Sequence, residues 1–137
     1  MHAGWLRLTE AFVLAAVLAS FSDWYFFGRP GLHPYYRRFP GVWVQYDNKQ
    51  AEVRSIVLGT LISVAGCAVF IGAAGWLGVS ALANALLLGL LFWLARPLAY
   101  IATCSIFMNL DRTVAFNHAI GWLLRFVACA IGIAVFW

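Results

Sequence analysis

Ser55–Ala95 reads SIVLGTLISVAGCAVFIGAAGWLGVSALANALLLGLLFWLA, forty-one residues without an Asp, Glu, Lys or Arg. A helix crossing the hydrocarbon core of a bilayer needs about 20 apolar residues. The stretch is therefore two spans long, and Gly75-Trp76-Leu77-Gly78-Val79-Ser80 marks the place to turn back. Hydrogen bonds closed within each segment make helices the natural form for such spans.

Two further spans flank this pair. The first is expected over about Trp5–Gly28, the second over Arg54–Gly75, the third over Val79–Leu98 and the fourth over Val114–Phe136. Pro97 weakens the third helix because it lacks an N–H donor. Ala99–Met108 either continues that helix or lies near the interface. The N-terminus has some signal-peptide character in Arg7 and Ala11–Ala19, but Glu10 interrupts it and the apolar pattern continues to Phe27, so a retained span is expected. With 137 residues, 64% hydrophobic and 10% charged, the chain is expected to be one all-α integral membrane four-helix bundle, residues 1–137. Soluble domains carry about 25% charged residues.

The net charge of +4 points to membrane orientation, not to nucleic acid. Arg29, Arg37, Arg38, Lys49 and Arg54 gather between spans one and two, against Asp47 and Glu52. The link between spans two and three has no charge. Positive loops stay in the cytoplasm, so loops one and three are expected inside and both termini outside, in a bacterial inner membrane. Trp5, Trp24, Trp43, Trp76 and Trp137 fall near the expected interfaces.

Charged groups inside the membrane are costly and usually pair or serve a function. Glu10 is expected below the outer surface. Arg125 lies about 18 Å in from the inner end of span four. These opposite charges are expected to form a buried ion pair, either locking spans one and four or handling protons or substrate. A second group gathers toward the inner surface. It consists of Asp23, Arg96, Asn109, Asp111, Asn117 and His118. His118, Gly121, Trp122 and Arg125 share one helical face. Histidine titrates near neutral pH, so Asp23 and His118 are candidates for an acid–base pair, with a hydrogen-bonded structural contact as the alternative. Arg96, Asn109, Asp111 and Asn117 are the candidate polar pocket.

Small residues recur every four positions at Gly59, Ser63 and Cys67 and at Ala15, Ala19 and Asp23. That spacing lets helix backbones approach closely, in bundle packing or in a homo-oligomer. Asn84 is expected as interhelical glue. Cys67, Cys104 and Cys129 read as small buried apolar side chains. His2, His33 and His118 lack metal-ligand spacing, no nucleotide or nucleophile-elbow motif is present, and no cofactor is implied.

Phe21–Tyr46, FSDWYFFGRPGLHPYYRRFPGVWVQY, holds Pro30, Pro34, Pro40 and ten aromatic residues. Such prolines exclude a regular helix through the middle. The loop, with Trp24, Tyr25, His33, Arg37, Arg38 and Trp43, is expected on the inner interface, as an anchor on lipid headgroups or as a lid over a cavity. Asp23, Trp24, Tyr25, Phe27, Gly28, His33, Tyr35, Tyr36, Pro40 and Trp43 resemble the end of the first span and the aromatic loop of small bacterial membrane proteins of the DUF1761 type. The resemblance covers about a quarter of the chain, and four spans are consistent with it. It implies no particular reaction. The size, the four spans and Glu10 are also similar to small multidrug resistance transporters. The long first loop, the basic asymmetry and the missing aromatic third-span signature depart from that family.

Three functional readings follow. One is a non-enzymatic protein that packs against, scaffolds or assists a partner among the membrane lipids. The second is a small proton-coupled transporter subunit using Glu10, Asp23, His118 and Arg125. The third is an intramembrane acid–base enzyme acting through Asp23 and His118 on a small-molecule or lipid-like ligand.

Overall fold

A computed structural model describes residues 2–27, 38, 49–108 and 111–137. Their secondary structure is helical throughout, with α1 over His2–Phe27, α2 over Lys49–Trp76 and α3 over Leu82–Trp93. A π-helical segment, Leu94–Leu98, joins α3 to α4 at Ala99–Phe107, and α5 runs over Arg112–Phe136. Four stretches are long and apolar enough to cross a bilayer: Gly4–Phe26, Ile56–Trp76, Leu82–Phe107 and Arg112–Phe136. The chain is a multi-pass membrane protein built as a four-helix bundle.

The third span extends beyond Pro97 as far as Phe107. Pro97 is buried inside the π-helical segment. Widening the backbone there accommodates a residue that cannot donate and would clash with the preceding turn. Ala99–Phe107 therefore belongs to the span.

Gly78 stops α2. Its φ of 67° is the left-handed conformation that glycine adopts without a Cβ penalty. The Val79 N–H donates to the Ala74 carbonyl at 2.9 Å and the Gly78 N–H to the Gly75 carbonyl at 3.2 Å. These two bonds are a Schellman cap. Val79 then packs onto the apolar core, which fixes the return into α3. At the other side of the bundle Asp111 starts α5, its Oδ1 accepting from the Thr113 N–H at 2.9 Å and the Val114 N–H at 3.2 Å.

α5 is the central helix, with α1 and α3 as its main neighbours and α2 lying on α1 and α5. α1 and α5 run antiparallel and nearly touch. A Cβ added at Gly132 would lie 2.5 Å from the Ala11 carbonyl oxygen. Ala11, Ala15 and Ala19 are buried against this seam. In lipid, where burial of apolar groups drives little association, such small-residue contact is what holds helices together. On the other side of α5, Phe70, Phe92 and Phe126 form an aromatic cluster with centroids 5.5, 5.6 and 6.1 Å apart. Tilted rings at these separations add to simple area burial.

Gly4 lies beside the ring of Trp137, so the two ends of the described chain meet on one side, as an even number of crossings requires. Trp5 and Trp76 are well exposed, at helix ends where amphipathic rings sit between lipid and water. Large apolar side chains are exposed along every span, as hydrocarbon demands.

Candidate functional site: an ion pair at the α1–α5 seam

The alanine stripe of α1 ends in a carboxylate. Asp23 follows Ala19 by four residues and continues the buried face. On α5, His118, Trp122 and Arg125 share the facing stripe. Arg125 Nη2 donates to Asp23 Oδ1, and the two side chains form a salt bridge at 7% and 20% exposure. The guanidinium lies over the Trp122 ring, 4.0 Å from its centroid. A desolvated cation over an indole face gains further from the ring quadrupole. Trp93 in turn donates from Nε1 to the Ala119 carbonyl at 2.8 Å, tying the third span to α5 one turn below.

This arrangement corrects the expected Glu10–Arg125 pair. Glu10 faces away from the bundle. It lies one residue, about 100° of rotation, off the Ala11–Ala15–Ala19 stripe. With Gly132 against Ala11, Glu10 is level with Ile133, two turns from Arg125 toward the end of α5. The Arg125 side chain reaches Asp23 instead, the carboxylate on the buried stripe. Both acids are in the first span, and the register between helices decides which one is paired.

Of the candidate polar pocket, Arg96 is exposed, Asp111 caps α5, and Asn117 is half-buried near the start of that helix. Asn109 lies outside the described residues. His118 is half-buried on the Trp122–Arg125 face. Asn84 is exposed, contrary to a role as interhelical glue. Trp24 and Tyr25 are exposed at the C-terminal end of α1, in ring contact with Phe21 and Phe26 respectively. Arg38 is exposed. His33, Arg37 and Trp43 lie outside the described residues.

Among the described residues, three buried polar atoms have no hydrogen-bond partner: Ser22 Oγ, Ser63 Oγ and Arg125 Nε. Cys67 on α2 and Cys129 on α5 are both buried in the apolar core around α5. Among the described residues no group of three or more His, Cys, Asp or Glu is placed to hold a metal ion.

Comparison with protein-family models, with curated proteins and with solved structures returned no match. The functional argument therefore rests on this chain's own residues.

Proposed function

We propose that this protein is a non-enzymatic membrane protein that scaffolds or assists a partner within the bilayer, and that it is a DUF1761-like protein of the bacterial inner membrane with both termini outside. The observation that carries the reading is the Asp23–Arg125 salt bridge. It neutralises the buried Arg125 cation with the Asp23 carboxylate, and Trp122 covers the guanidinium. Asp23, the natural proton carrier of the inner half, is thereby engaged in holding α1 to α5. The largely exposed outer face of α2 supports a surface offered to lipid or to a neighbouring protein.

A second reading, a proton-coupled transporter subunit, is favoured by the carboxylate and guanidinium that Asp23 and Arg125 place between α1 and α5. Reconstitution into liposomes with an internal pH-sensitive dye separates the two. Under an imposed pH gradient and a clamped membrane potential, the proton leak is expected to equal that of empty liposomes and to be unchanged by Asp23→Asn. A protein-dependent flux that Asp23→Asn abolishes would replace the scaffold reading with the transporter reading.

A further inference from the structure

Arg96 and Pro97 are neighbours on the π-helical segment of the third span, yet Pro97 is buried and Arg96 is exposed. Ala85, Gly89, Pro97 and Ile101 are buried at multiples of four residues, and Trp93 between them is bonded to α5. Four residues of α-helix overshoot a full turn by about 40°. The wider π-helical turn takes up that drift. It keeps the series on α5 and leaves Arg96 on the outside. The depth of Arg96 follows from the packing. Trp93 bonds to Ala119, and Ile101 packs with Ala115 and Ala119, so Arg96 is level with Phe116–Ile120 on α5. Ala11 against Gly132 puts the last turn of α1, Asp23–Phe27, at that same level. Trp24, Tyr25 and Tyr100 are exposed near it, as amphipathic rings are at a headgroup boundary. Exposed Trp5 marks the opposite boundary. It lies about 28 Å from Trp24 along α1, which matches a hydrocarbon core about 30 Å thick. The third span has 26 residues and runs about 39 Å. It is longer than the core, so Arg96 reaches the headgroups well before Phe107.

We propose that Arg96 binds a phosphate group, supplied by an anionic phospholipid, with the Tyr100 hydroxyl one turn on as a second donor. The planar guanidinium fork matches phosphate oxygens, and hydrogen bonds between two charged groups are the strong ones. The chain offers Arg96 no carboxylate instead. Of the acids whose side chains the structure describes, Asp23 is paired with Arg125, Asp111 caps α5 and Glu10 lies toward the opposite boundary. The counter-charge therefore comes from outside the described residues, and at this depth the anion on the lipid side is the headgroup phosphate. An anionic headgroup is preferred to a zwitterionic one, because choline or ethanolamine would bring a second cation to the guanidinium. The site is separate from the Asp23–Arg125 pair and holds under either functional reading.

Native mass spectrometry of the full chain released from detergent micelles, with phosphatidylglycerol or phosphatidylcholine added, counts the lipid that stays bound. Phosphatidylglycerol is expected to be retained over phosphatidylcholine. Arg96→Gln should weaken phosphatidylglycerol binding about fivefold, the effect of one basic residue at an anionic surface. Arg96→Lys, which keeps the charge, should retain most of the binding, and Tyr100→Phe should lose a smaller factor than Arg96→Gln. Arg112→Gln removes an exposed cation a turn or more beyond the boundary. It should change binding by less than about twofold, since the attraction fades within a Debye length. Inorganic phosphate added to the same micelles should not displace the lipid. Equal retention of the two lipids, equal losses for Arg96→Gln and Arg112→Gln, or displacement by inorganic phosphate would overturn the proposal.

Discussion

Asp23→Leu is expected to destabilise the bundle by about 3–5 kcal/mol, the usual cost of stranding one member of a buried ion pair. Arg125, at 7% exposure, would keep its charge, because guanidinium does not deprotonate in proteins. Arg125→Met should cost somewhat less. It leaves Asp23, the more accessible of the two partners at 20% exposure. It also removes the guanidinium from the face of Trp122, so the loss remains large. The double variant Asp23→Leu/Arg125→Met should recover most of the stability, since well-packed apolar replacements of buried pairs are often neutral or better. Unfolding in mixed detergent micelles measures all four corners of the cycle. A double variant no more stable than the sum of the singles predicts would mean that the two side chains act separately.

Gly132→Val carries the next largest effect. Its Cβ would lie 2.5 Å from the Ala11 carbonyl oxygen and 3.3 Å from the Ala11 carbonyl carbon. Those are backbone atoms, so no rotamer change relieves the contact and α1 must move off α5. Overpacking of this kind costs about 1–3 kcal/mol, and the separation also lengthens the path between Asp23 and Arg125. Gly59→Ala is the matched control. An added Cβ there meets nothing within 4 Å, so its stability should change by no more than about 0.5 kcal/mol. Equal losses for the two variants, in the same micelle assay, would refute close packing of α1 on α5.

The spans were legible in the sequence because hydrocarbon imposes a length and a composition that few other environments require. Ser55–Ala95 announced two crossings, and Gly75–Ser80 announced the turn between them. The length of the third span was harder to read. Pro97 argues for a break in a regular α-helix, and only the π-helical widening of Leu94–Leu98 carries the chain through it. The ion pair shows a different difficulty. Depth measured along each helix separately made Glu10 a partner for Arg125. The partner is set by which face of α1 meets α5 and by the register of Ala11 against Gly132. The decisive signal lay in the repeat Ala11–Ala15–Ala19–Asp23, which puts a carboxylate at the end of a small-residue stripe.

Every part of this account requires Lys49 and Gly78, at opposite ends of α2, to lie on opposite sides of the membrane. Fusing topology reporters after each residue in turn measures this directly, with one reporter active only in the cytoplasm and the other only outside it. The expected result is a cytoplasmic signal at Lys49 and an external signal at Gly78. Placement of both residues in one compartment would contradict the four-span bundle and the buried ion pair built on it.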